Sequence, residues 1–444
     1  MRRVLIVCYD YPWISSAGVI RTYAFAKNLP RFGWEPVILT AQSCGSKHEH
    51  DIEASDGELE CRKITAPASK LGVPRRVDRH EALKAKETGA RANGRRARWA
   101  HWVGKLAVPD GKITWLFPAV RQGLQICCEY RVDACFSVSP RPTAHLVAYR
   151  LARYLKIPWV ADFALPWSDA YWLAGRPRAA TALDKTVEKL VVRSAQHLTV
   201  AYTDIGRGLG ARYGAACDGK ITVIPTGFDE ELFKNPNPPN PDRFTIIYPG
   251  NHFCEEGRGG EDFVRAIDEW VSSNPDLEEK VEIVFIGKRD EQLLRHRQAM
   301  AHPKVVRVEQ LMSHRACVEA IRSSHLCVVN TVGNRIPGKV YECMRAEKPI
   351  LALTDPGSDL DNLTKSYCRG FSIAATDRAV VRCAVDRMLR EISVTPPAPV
   401  CDHFKDSYSS GHGAQVLAET LSAALRKRQG RIGGEMTAEN DGRG

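Results

Sequence analysis

The segment Arg335-Ile-Pro-Gly-Lys-Val-Tyr-Glu-Cys-Met-Arg-Ala-Glu-Lys-Pro-Ile-Leu-Ala-Leu353 decides how the chain is read. An apolar run, Leu326 to Asn330, precedes it and reads as a buried strand; a second, Pro349 to Leu353, follows. A helix between them makes a βαβ unit. Pro337 suits the first helical position, because its fixed φ is preset and its missing N–H would find no partner there. Gly338 lets the backbone come close to a ligand. The first turn of such a helix offers free N–H groups and the positive end of the dipole, and Lys339 stands in it. Glu342, three residues on, shares its helical face. An ammonium beside free amides suits a diphosphate. A carboxylate one turn deeper suits two vicinal hydroxyls, such as those of a ribose. The pattern describes one half of a nucleotide-sugar site, although an ordinary βαβ unit with an exposed Lys–Glu pair would carry the same residues.

The stretch resembles the donor-binding helix of family 4 glycosyltransferases, whose pattern there is close to Pro-x-Lys-x-x-Glu-x-x-x-x-x-Lys-Pro-Ile. Here it reads Pro337, Lys339, Glu342, Lys348, Pro349 and Ile350. Ile224-Pro-Thr-Gly-Phe-Asp229 is similar, with one change, to the Ile-Pro-Asn-Gly-Phe-Asp that closes the family's N-terminal domain. The resemblance spans nearly the whole chain and implies an α/β GT-B fold: two Rossmann-like α/β/α domains facing across a cleft. It implies a retaining glycosyltransferase that takes a nucleotide diphosphate-sugar, UDP- or GDP-linked, to a glycan or lipid-linked acceptor, with no metal or other cofactor. Donor contacts are implied at Gly18, Gly250, Asn251, Leu311, Pro337, Gly338, Lys339, Val340 and Glu342. The implied catalytic set is Lys339, Arg258 and Asp162, with Ser16 and Trp167 on the acceptor side. Asn334 stands where many members carry a second Glu. Relatives commonly read Asp-Phe-Arg-Asp-Pro-Trp where this chain keeps Asp162, Pro166 and Trp167 but has Ala164 and Leu165.

A chain of 444 residues is comfortable for two domains. Its 44% hydrophobic and 26% charged residues are globular proportions. A formal net charge of +11 favours acidic partners: phosphorylated donors or anionic membrane surfaces. Nucleic acid is not expected, since no helix-turn-helix, zinc-finger or RNP-type signature is present. The 14 Cys include no Cys-x-x-Cys pair, which reads as reduced core thiols in a cytosolic protein rather than a zinc site or disulfide scaffold. Asp10 interrupts the N-terminal apolar run too early for a signal peptide. No run approaches the roughly 18–20 apolar residues of a membrane helix. The expectation is a cytoplasmic protein, free or peripheral on the inner face of the cell membrane.

In chain order, Val4 to Cys8 reads as a buried parallel strand, Val19 to Leu29 as a helix and Pro36 to Leu39 as a second strand. The loop after the first strand has only Gly18 where a dinucleotide site would want Gly-x-Gly-x-x-Gly, which disfavours a nicotinamide or flavin. Gly18 reads equally as a turn or cap. Residues 62 to 105 are Arg-rich, with Trp99 and Trp102 interleaved. They read as a solvated surface segment or as a basic helix on an anionic membrane. Leu116 to Tyr130 and Thr143 to Leu155 have helical spacing; Ala134 to Val138 and Pro158 to Ala161 read as strands. Asp162, at a strand end, orients an acceptor hydroxyl or caps the next turn.

Thr181 to Arg193 and Thr203 to Arg212 read as helices, and His197 to Ala201 and Ile221 to Ile224 as strands. Asn235-Pro-Asn-Pro-Pro-Asn-Pro241 sustains neither helix nor central strand and reads as the interdomain linker. A second βα series then starts at Thr245 to Tyr248, whose glycine-rich loop meets a helix at Glu261 and again suits phosphate. Arg258 in that loop is the second cation, or a surface Arg. The expected organisation is an N-terminal domain 1–232 with a basic insertion at about 45–108, a linker 233–242, a C-terminal domain 243–409, a helix 410–426 and a disordered tail 427–444. Two other readings stay open: a GT-B-like protein that binds a nucleotide sugar or glycan without transfer, and an epimerase on the same fold.

Overall fold

In a computed structural model, the protein is described at residues 1–11, 17–41, 62–66, 107–170, 173, 175–234, 238–239, 242–254, 259–331, 333–374, 378–394 and 402–441. The described residues up to Pro225, with those from Ala414 on, form one compact unit; Thr226–Gly413 form the other.

The N-terminal unit is built on seven strands: β1 Arg2–Val7, β2 Trp34–Ala41, β3 Arg62–Ala66, β4 Ala134–Val138, β5 Trp159–Phe163, β6 His197–Val200 and β7 Ile221–Val223. They lie in the order β3-β2-β1-β4-β5-β6-β7, every neighbour parallel. Runs such as Val-Leu-Ile-Val in β1 and Ala-Cys-Phe-Ser-Val in β4 are buried throughout, as a parallel sheet covered on both faces requires. Helices Ala17–Asn28 and Ser410–Asp441 cover one face, with Phe25, Leu417 and Leu421 packed on Ile6 and Phe136. Helices Leu116–Tyr130, Thr143–Leu155 and Arg178–Ser194 pack side by side along the sheet.

Three expectations change here. The passage between the units falls at Pro225–Thr226, before the stretch read as the linker, and Phe228 and Phe233 pack in the core of the C-terminal unit. Residues 62–66, read as the start of a basic insertion, supply edge strand β3 through Ile64, Thr65 and Ala66 opposite Leu39, Thr40 and Ala41. The tail read as disordered continues the last helix to Asp441. Extending an existing helix needs no new nucleus, and its Ala, Glu, Gln, Arg and Lys are good helix formers.

The C-terminal unit repeats the plan with β8 Phe244–Pro249, β9 Val281–Ile286, β10 Val306–Glu309, β11 Leu326–Asn330, β12 Ile350–Leu353 and β13 Gly370–Ile373. The order is β10-β9-β8-β11-β12-β13, again all parallel. One side of this sheet packs on Phe263, Ile267 and Trp270; the other packs on Ile321, Val340 and Met344. In each unit the strand order reverses once, between β1 and β4 and between β8 and β11. Ligands of open α/β sheets bind at such reversals, outside the carboxyl ends of the strands.

Asp162 on β5 locks the N-terminal unit. Its side chain is fully buried, and Arg21 grips it from helix Ala17–Asn28 with Nε to Oδ2 at 3.0 Å and Nη2 to Oδ1 at 2.8 Å. The Thr199 hydroxyl donates to Oδ1 at 2.6 Å, and Arg21 Nη1 donates to the Ile224 and Pro225 carbonyls at 2.6 and 3.0 Å. One ion pair thus ties a helix, two strands and the exit of the unit. Removing one partner of such a pair strands a buried charge. Asp162→Ala is expected to lower unfolding free energy by about 3–5 kcal/mol in urea titration. The double variant Arg21→Met/Asp162→Leu is expected to lose less, because no charge is left alone; equal losses would contradict the assignment.

Candidate functional site

The reversal in the C-terminal unit carries a buried carboxylate with two nitrogen partners. Asn330 ends β11; the chain then turns through 333–338 into the short helix Lys339–Arg345. Pro337 lies before this helix rather than at its first position, because Gly338 is its N-cap; the Val340 N–H already donates to the Pro337 carbonyl at 3.1 Å. Glu342 is 3% exposed. Lys339 Nζ donates to its Oε2 at 2.7 Å, and His314 Nε2 lies 2.6 Å from its Oε1. Burial by itself would raise the Glu342 carboxyl. Lys339 and then His314 outweigh it and hold the group down at about 2, below its ordinary 4.5. With the carboxylate ionised, the imidazole Nε2 is the donor. Burial works against the Lys339 charge, but Glu342 beside it raises the ammonium's pKa.

Each carboxylate oxygen keeps lone-pair capacity for a ligand hydroxyl, and the ammonium has two further donors for an anion. The helix is only seven residues long, so the charge of Lys339, more than a dipole, gives this edge its attraction for anions. His314 had no signal in sequence: it lies 28 residues from Glu342, at the start of helix His314–Arg322 behind the Ser313 cap. Leu311 is part-buried in the turn leading into that helix.

Gly250 and Asn251 leave the carboxyl end of β8 beside this cluster. The Tyr248 hydroxyl lies 3.0 Å from both the Asn251 carbonyl and Asn330 Oδ1, and Asn330 Nδ2 donates to the Phe253 carbonyl at 2.9 Å. These bonds stitch the end of β8 to the end of β11. Asn251 Oδ1 accepts from the Lys288 N–H at 2.6 Å. A Cβ at Gly287 would come within 2.2 Å of the Gly250 carbonyl, so only glycine admits this approach. Val340, expected among the donor contacts, is instead fully buried in the core. Arg258 lies outside the described residues.

In the N-terminal unit, Gly18 sits where helix Ala17–Asn28 meets the chain leaving β4. A Cβ there would fall 2.7 Å from Pro140 Cδ, so packing alone accounts for the glycine. Asp162 does not offer an oxygen to an acceptor, because it is fully buried beneath Arg21 and Thr199. Trp167 is 4% exposed, donates from Nε1 to Asp184 at 3.3 Å and stacks near His145, so it presents no open face to a sugar. Ser168 is bound to Glu188, whose Oε2 also accepts from Tyr213 at 2.6 Å. Burial raises Asp184 to about 6, against the opposing pull of Arg176 and Trp167. Ser16 lies outside the described residues. At this reversal the sequence reading missed Asp10 and Arg141, paired at 3.1 Å, and Lys112 above the Tyr9 ring at 4.8 Å.

No protein-family model and no curated protein sequence matches the chain. Solved structures do. Sucrose-phosphate synthase from Thermosynechococcus elongatus superposes with a TM-score of 0.56 at 14% identity, over 99% of this chain and 100% of its own. UDP-GlcNAc 2-epimerase from Neisseria meningitidis, bound to UDP-GlcNAc, gives 0.56 at 12% identity over 95% and 100%. The Methanocaldococcus jannaschii UDP-GlcNAc 2-epimerase gives 0.55 at 10% identity over 95% and 100%. At such identities the likeness establishes the fold: an α/β GT-B architecture of two Rossmann-like units.

The Glu342 assignment has a pH signature. In the unfolded chain its carboxyl titrates near 4.5, so the folded protein gains stability from it above that pH and loses it as pH falls from about 4.5 toward about 2. The full contribution is roughly 3 kcal/mol. Glu342→Gln should therefore differ most from the parent at neutral pH, and the gap should close on acidification. A gap independent of pH in denaturant titrations would contradict an ionised Glu342.

Proposed function

We propose that the protein is a retaining glycosyltransferase of the family 4 type. It moves a sugar from a nucleotide diphosphate-sugar to a glycan or lipid-linked acceptor, in cell-surface polysaccharide or glycoconjugate assembly. The observation that carries this reading is the Lys339–Glu342–His314 cluster beside the β8/β11 reversal. Glu342, ionised and held from two sides, receives the ribose hydroxyls and positions the donor without reacting. Lys339 faces the diphosphate and opposes the negative charge that grows on it as the glycosidic bond breaks. Arg258 is the second cation of this set. In the retaining route the departing diphosphate takes the acceptor proton on the face that the sugar leaves, so the enzyme needs no side-chain base. The His314–Glu342 bond fixes the carboxylate before the donor arrives. No metal takes part in this reading.

A second reading has its own support. Two of the three solved structures named above are UDP-GlcNAc 2-epimerases, so epimerisation of a UDP-sugar is the alternative. It predicts a C2 epimer of the nucleotide sugar formed without acceptor.

Thermal unfolding with UDP, GDP and their sugars tests the site. A nucleotide at a hundred times its Kd should stabilise the fold by about 2.7 kcal/mol. One base should act, and Lys339→Ala/Glu342→Ala, measured against its own ligand-free transition, should lose the shift. Lys339→Ala should lower kcat by about 100- to 1,000-fold, the usual loss for one positioned charge-stabilising donor. The absence of a shift with any nucleotide would overturn the donor site.

A further inference from the structure

Helices Leu116–Tyr130, Thr143–Leu155 and Arg178–Ser194 form one continuous layer of the N-terminal unit. Its outer surface is unusual in two independent respects. Seven Lys and Arg side chains on these helices are exposed, against one exposed acid, Glu129. The other two acids, Asp184 and Glu188, are turned inward and buried. The layer also carries four of the large apolar side chains that the described residues leave in solvent. Phe117 and Tyr154 are each 75% exposed, Leu183 51% and Leu190 40%. Leu183 and Leu190, seven residues apart, lie on one stripe of their helix, and the exposed Lys185 and Lys189 lie on the opposite flank of its outer face.

We infer that this layer is a docking surface for an anionic lipid membrane. Cations at seven to one attract a negative surface, and a bilayer also offers the exposed Phe, Tyr and Leu among them an apolar phase to enter. A nucleic acid would use the cations but give the two leucines nothing to bury. The assignment rests on these helices alone. It is independent of the transferase reading and of the Arg-rich stretch at 75–98, which lies outside the described residues.

Flotation of the full chain with vesicles of phosphatidylcholine, and of phosphatidylcholine with phosphatidylglycerol, tests it. Binding is expected with the anionic vesicles only, and should weaken as salt rises. Lys185→Glu/Lys189→Glu should partition at least about 30-fold more weakly. Lys280→Glu/Lys304→Glu, an equal charge change on exposed cations of the other unit, should have little effect. Leu183→Ser/Leu190→Ser should weaken binding without altering its salt dependence. All these side chains are exposed, so unfolding midpoints and nucleotide-induced shifts should match the parent. No binding to either vesicle would overturn the inference. So would equal effects of the two charge reversals, or an Arg95→Glu/Arg96→Glu variant that alone abolishes binding. Displacement of the vesicles by an oligonucleotide with the same variant sensitivity would make the face a polyanion site instead.

Discussion

Every strand of both sheets pairs in parallel, and the rest of the molecule follows from that pairing. Parallel neighbours need crossover helices, which cover the faces and bury the strands. Each unit is then left with one edge, at the carboxyl ends, where polar side chains gather without crossing the core. Where the strand order reverses, the crossovers diverge and open a crevice. Glu342, Lys339, Asn330 and Tyr248 lie at this edge in the C-terminal unit; Asp10 and Arg141 lie at it in the N-terminal unit.

Two buried carboxylates show how similar residues acquire different roles. Asp162 is bound by an arginine, which stays charged at any working pH, in a two-pronged grip, and by a threonine hydroxyl. Nothing in that arrangement can yield without leaving a charge stranded in the core. Glu342 is held by an ammonium and an imidazole, single-point partners on flexible or titratable side chains. Its surroundings keep it ionised while leaving hydrogen-bonding capacity open. The first carboxylate belongs to architecture; the second is the one we propose for recognition.

What could be read in sequence was what local patterns encode. Leu326–Asn330 reads as an apolar run and Thr143–Leu155 as an amphipathic helix; the limits of both agree with the structure to the residue. Edge strands were harder. β3 lies in a basic stretch, β10 alternates with Arg307 and Glu309, and every residue of β13 is only half-buried, so none stands out by hydrophobicity. The GT-B architecture was legible from the Pro337–Ile350 and Ile224–Asp229 segments. The partners of the site were not. Arg21 and Asp162 are 141 residues apart, and His314 and Glu342 are 28 apart. Such pairs exist only once the sheet has formed. Asp110 makes the same point. It accepts from the N–H and hydroxyl of Thr143, 33 residues on, both at 2.8 Å, and caps a helix whose own preceding residue is a proline.

The N-terminal unit is not continuous in the chain. It stops at Pro225 and resumes at Ala414, when the last helix brings Leu417 and Leu421 to the β1/β4 face. During synthesis, therefore, the first unit to begin is the last to finish. The intervening unit is contiguous and can close as soon as it clears the ribosome. Ile6, Phe136 and Val160 must wait for about 190 further residues, roughly 10–40 s at ordinary elongation rates, before their apolar face is covered. Over that interval the nascent protein presents a half-roofed sheet to the cell, until the returning helix closes the unit.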